Sequence, residues 1–203
     1  MFGLHQDFPS NPEFSVYVVS DVTFTTDVNM DAVTVYFTDQ QDGVWASGVN
    51  TAVLNVFSAQ AGFGNPTNGL TVPVTVEDLG DTVAIRAGGL DMDLIAGDYL
   101  IGLTPTGDFN TVGQEFHMAT AAVGSESMYQ NPGGAFNLPA GTQVGNVSDL
   151  AAGLLDTAIM IEGTEGLPEG VLWDQEPDPN GIAIIHQDFL LSLIHISEPT
   201  RPY

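Results

Sequence analysis

His117 stands in the run Gln114-Glu115-Phe116-His117-Met118, where strand alternation puts Glu115 and His117 on one face and Phe116 and Met118 on the other. A carboxylate beside an imidazole can ligate a metal or move a proton. A hydrolase built on this pair would need a nucleophile, and no serine lies in a G-x-S-x-G setting. The alternative is a surface or half-buried pair on a strand.

Carboxylates cluster at Asp39 and Asp42, at Asp91 and Asp93 with Asp98 behind them, and at Asp174, Glu176 and Asp178. None has the EF-hand spacing D-x-[DN]-x-[DN]-G-x5-E. A structural Ca²⁺ needs only roughly three or four oxygens from neighbouring loops to pin a turn. Asp39, Asp42, Asp91 and Asp93 are the candidate ligands, with solvated loop carboxylates as the other reading; no other cofactor is expected. Trp45, Tyr129, Trp173 and Phe136 lie in turn-rich surroundings. Such rings, flanked by Asp or Asn, can stack on the apolar face of a sugar while polar groups take its hydroxyls. Trp45, Tyr129 and Trp173 are the candidate ligand-binding residues; otherwise they pack against the core.

Composition narrows the partners. The 203 residues hold 26 acidic and two basic side chains, for a formal net charge of -24. A nucleic-acid partner requires clustered Lys or Arg to displace counterions, and an anionic membrane surface requires the same, so neither is expected. High acidity suits solubility in a salty medium, where charges are screened beyond roughly 10 Å. Cysteine is absent, which removes disulfides, thiolate nucleophiles and Cys-based zinc sites. No run approaches the about 20 apolar residues of a membrane span. The N-terminus lacks the basic and apolar regions of a signal peptide, so an export signal is expected upstream.

The elements that position these residues read as strands. Alternating apolar and polar residues fill 15–19, 32–38, 52–58, 70–77, 82–87, 98–104, 115–122 and 157–162, separated by Gly, Asn, Asp and Pro. Val33, Val35 and Phe37 alternate with Thr34 and Tyr36, and Tyr99, Ile101 and Leu103 with Leu100 and Gly102, so each run can give one face to a core. Residues 147–155 have a helix-like composition of a turn or two, and 125–145 reads as a long Gly- and Pro-rich loop. The expected fold is all-β: an antiparallel, jelly-roll-like β-sandwich.

The motif His5-Gln6-Asp7-Phe8 recurs as His186-Gln187-Asp188-Phe189, each preceded by an aliphatic residue, at an offset of 181 residues (186 minus 5). A repeat at both ends of the chain predicts a tandem array of domains of about that length. Residues 1–165 are then an N-terminally truncated β-sandwich copy. Residues 166–190 are a linker and the start of a second copy. The run 191–201 resembles the translation of a transposase sequencing adapter, as at the end of a metagenomic insert, so 191–203 are set aside as an artefact.

Gln6-Asp7-Phe8, the run 20–24, the run 94–103 with its Gly-turn and Tyr99, and the run 113–120 resemble the repeated jelly-roll-like domains of bacterial extracellular proteins that carry PEP-CTERM-type sorting signals. The resemblance covers most of residues 5–165 and carries no catalytic residue. It implies a secreted or cell-surface location and a non-catalytic structural or adhesive module. The alternatives are a carbohydrate-binding module with exposed aromatics and, third, a hydrolase. Expected partners are extracellular polysaccharide or other surface proteins.

Overall fold

The computed structural model describes residues 3–38, 48–114, 116–120, 124–150, 155–165, 170–176 and 184–185; of residues 3, 4, 170–176 and 184–185 it describes the backbone. The chain is an all-β antiparallel sandwich. The first sheet centres on the long strand β3 (Val28–Thr38), which pairs along its whole length with β7 (Thr82–Leu94). On its other edge β3 pairs with β14 (Ile159–Thr164) and, beyond that, with β9 (Phe116–His117). The sheet is extended by β6 (Thr75–Asp78) beside β7 and by β1 (Gly3–Leu4) beside β9. Beyond β14 lie β15 (Gly170–Glu176) and β16 (Ile184–Ile185).

The second sheet runs in the order β12 (Val144–Asn146), β11 (Met128–Gln130), β2 (Tyr17–Phe24), β8 (Gly97–Thr106), β4 (Thr51–Ser58) and β5 (Leu70–Pro73). A small ladder joins β10 (Ala119–Thr120) to β13 (Asp156–Thr157). The connections β3 to β4, β5 to β6 and β7 to β8 carry the chain from one sheet to the other, which interleaves the two layers.

The alternation expected for β3 and β8 is what fills the core: Val33, Val35, Phe37, Ile101 and Leu103 meet Ile85, Leu54, Ile159 and Ile161 between the sheets. Burying each such side chain contributes roughly 1.5–3 kcal/mol. Against β14, whose pairing shifts between Glu162 and Gly163, β3 carries one extra residue between Met30 and Ala32. That bulge lets Val28 and Met30 face the same core as Val33 and Val35 although the spacing from Met30 to Val33 is odd.

The segment read as a long loop is partly strand. β11 and β12 form a hairpin on the edge of β2, with Tyr129 opposite Val18 and Gly145. Tyr129 is 1% exposed, packed with Val16, Val18 and Val147 in a second core cluster. The helix expected from residue 147 begins as α2 (Val147–Leu150). Along alternate positions of β2 and the residue before it, Phe24 and Val22 join the main core, Ser20 joins a polar network, and Val18 and Val16 join the second cluster. That network links the Ser20 hydroxyl to those of Ser127 and Thr157 at 2.9 and 2.6 Å and to the buried Asp156 carboxylate at 3.1 Å. Ser127 donates to the same carboxylate. A buried carboxyl group is tolerable only when hydrogen-bond partners converge on it, as here.

Candidate functional site

The motif His5-Gln6-Asp7-Phe8 is a clip that ties the N-terminal strand to distant parts of the sandwich. His5 Nε2 is 2.9 Å from the Thr104 hydroxyl. The Gln6 amide donates to the carbonyls of Gly107 and Gly113 at 2.8 and 3.1 Å. Asp7 accepts from the Tyr17 hydroxyl at 2.6 Å and from Thr106 at 3.2 Å, and the Phe8 backbone donates to Ser15. Burial first, and then the hydrogen bond to Asp7, raise the Tyr17 phenol far above its ordinary range. Paired backbone bonds between Gln6 and Val16 complete the clip.

Because Gln6 holds Gly107 and Gly113, it brackets the short helical turn α1 (Phe109–Val112), whose inward Val112 is 1% exposed and whose Phe109 is 58% exposed. Asp108, just before the turn, accepts from the backbone and hydroxyl of Ser10, which hold its carboxyl below the usual range and bind the turn to the chain after the clip. That chain carries Phe14. A third segment meets it: Gly133 lies against the Glu13 backbone so closely that no Cβ would fit. Asn131 braces this turn through the Gly134 amide and the Ala135 carbonyl, and Phe136 stacks edge-on to Phe14 with centroids 5.4 Å apart.

The result is a cleft of about 380 Å³ lined by Phe8, Asn11, Phe14, Phe109, Asn110, Gln114 and Phe136. Phe14, Phe109 and Phe136 are all exposed, and the polar lining is three neutral carboxamides in a chain of net charge -24. Phe136 has φ 60° and Asn137 φ 58°. A bulky residue in the left-handed region is strained and persists only where its surroundings over-determine it. Exposed rings beside amide donors and acceptors form a surface of the kind that takes a neutral, amphipathic ligand.

The expected site residues fall elsewhere. Tyr129 is corrected: its burial under Gly145, where a Cβ would strike the phenol ring, leaves no face for a sugar. Trp173 sits on β15 opposite Ile161, with its side chain outside the described residues. Trp45, Asp39, Asp42 and Glu115 also lie outside them.

Asp91, with φ 50°, lies within the register shift of β3 and β7 and Asp93 lies beside it, and both accept from the Asn29 amide at 2.9 Å. Asp93 also lines a cleft of about 630 Å³ with Asp27, Asn29 and Glu165. Among the described residues no group of three or more His, Asp or Glu is placed to hold a metal ion.

No family of known proteins, no curated protein and no solved structure matches this chain.

His117 is 1% exposed, which corrects the expectation of a surface or half-buried residue. It faces Phe37 across the ladder and meets the His5 ring edge-on, and burial pushes it down to about 4. It is held neutral in the core rather than presented to a substrate. The phenylalanine cleft was only partly legible: Phe136 stood out by its turn-rich setting, whereas Phe14 and Phe109 carried no local signal.

Proposed function

We propose that this chain is a non-catalytic adhesive module of a repeated bacterial surface protein, and that it adheres to neutral extracellular polysaccharide through the Phe14, Phe109 and Phe136 cleft. The observation that carries the reading is three exposed phenyl rings gathered around Asn11, Asn110 and Gln114 by Gln6 of the recurring clip motif, by Ser10 and by the close seat of Gly133 on Glu13. Phenyl faces would pack on the C–H faces of pyranose rings, and the carboxamides would exchange hydrogen bonds with ring hydroxyls. Neutral amides in an otherwise acidic chain favour an uncharged glycan over an acidic one.

Each repeat would bring its own platform, because the motif that brackets α1 recurs. Weak sites in series then gain avidity without any new contact. The test is binding to an array of neutral and acidic polysaccharides, with the F14A/F136A double substitution as control. Retention on a neutral glycan that falls at least about tenfold in the double variant supports the reading. No retention, or retention indifferent to both rings, sinks it.

A second reading, a spacer with no ligand of its own, is favoured by the clip itself, whose side chains serve the fold. It predicts that the same array stays blank. Location at the cell surface follows from either reading and is tested by fractionating cells that express the parent gene.

A further inference from the structure

We propose that the segment from Ile184 to Phe189 is a second clip, and that the surface it fits is the seat of the first clip in another copy of this unit. The inference rests on the tandem-repeat part of the functional reading. Two observations lead to it.

The match extends beyond four identical residues. β1 (Gly3–Leu4) immediately precedes the first motif and β16 (Ile184–Ile185) immediately precedes the second, so the strand recurs at the offset that separates the two histidines. The motif recurs in sequence together with the described strand before it.

The seat is also built chiefly from residues remote from the clip. Thr104 receives His5, the carbonyls of Gly107 and Gly113 receive the Gln6 amide, and Thr106 donates to Asp7. Tyr17 and the backbone of Val16 complete it from the following strand. These groups recognise an imidazole, a primary amide and a carboxylate in fixed order on an extended backbone. A segment carrying the same three side chains after the same short strand presents the same donors and acceptors.

In an array, the second clip would seat in the next repeat and join the two units through β15, which pairs with β14 of this unit and with β16. The join is then a continuous ladder rather than a loose tether. Between separate chains, the same fit is a head-to-tail contact, which builds rings or open chains.

The test weakens the first clip in the full chain and leaves the second intact. In the Q6A/D7A variant the second clip of another molecule becomes the better occupant. Its mass by light scattering should rise to at least about twice that of one chain across a dilution series, and its melting temperature should rise with concentration. Adding Q187A/D188A should return it to single chains with a melting temperature independent of concentration.

A Q6A/D7A chain that stays single at every concentration overturns the proposal, as does assembly that persists after Q187A/D188A. If the Q6A/D7A chain does not fold, a synthetic peptide of residues 181–190 is added. Recovery of the strand signal by circular dichroism, absent with the Q187A/D188A peptide, supports the proposal, and no recovery overturns it. Either failure leaves glycan retention by the wild-type chain standing as a separate result.

Discussion

The imidazoles of His5 and His117 meet edge to face in the core, with ring centroids 5.8 Å apart. Both residues are 1% exposed, and neither nitrogen of His117 has a hydrogen-bond partner among the described residues. Burial pushes both below the ordinary imidazole value; His5 is lowered further by the proximity of His117.

This pair makes stability depend on pH with a definite sign. Well above pH 6.5 both rings are neutral whether the chain is folded or not. As pH falls below 6.5 the unfolded chain takes up protons that the fold refuses, so stability declines until the folded value, about 4 for His117, is reached. His117 alone accounts for a loss of about 3 kcal/mol over that window. Urea denaturation at pH 7.5 and pH 5 should show the decline, and His117→Phe should reduce it without weakening the protein at pH 7.5. An equal decline in the variant would remove His117 as its source.

Gln6→Ala removes one buried and one part-buried hydrogen bond and leaves the carbonyls of Gly107 and Gly113 without the amide that brackets α1. The expected loss is about 2–4 kcal/mol, read as a fall in the urea midpoint. A loss below about 0.5 kcal/mol would mean that the bracket is not formed.

The sandwich was legible because alternation survives in one sequence: Val33, Val35 and Phe37 declare a buried face wherever the partner strand lies. The bulge after Met30 was not legible, since an odd spacing looks like the end of a pattern until β14 supplies the register. Nor was the strand at Tyr129. Its neighbours Gly133, Gly134 and Gly145 signal a loop, yet Gly145 is glycine because the phenol ring occupies the place of its Cβ. The cleft could not be read for a different reason. Phe14, Phe109 and Phe136 come from three separate segments, and the ties of Gln6, Ser10 and Gly133 that gather them are tertiary.

Gly145→Ala therefore tests the second core cluster. The added methyl would displace the Tyr129 ring from Val16, Val18 and Val147, at a cost of about 1–3 kcal/mol. Tyrosine fluorescence and the melting temperature should both shift, and an unchanged melting temperature would contradict this packing.

Gly133→Ala acts on the cleft in the same way. A Cβ there would collide with the Glu13 backbone and push the 131–137 turn off the chain that carries Phe14. Contact between Phe14 and Phe136 would open and glycan retention would fall with it, while the core between the sheets stays intact. The check is a pair of measurements: lowered retention with a melting temperature within a few degrees of wild type.

Phe136→Gly separates function from stability at one residue. At φ 60° the phenylalanine holds a conformation that glycine adopts freely, and the strain relieved is of order 1 kcal/mol. The edge-on contact with Phe14 that is lost is worth about 0.5–1.5 kcal/mol. The two nearly cancel, so the melting temperature should hold while retention on the neutral glycan falls. A variant that loses several kcal/mol would instead make Phe136 a residue of the fold, and the cleft would lose its claim as a binding surface.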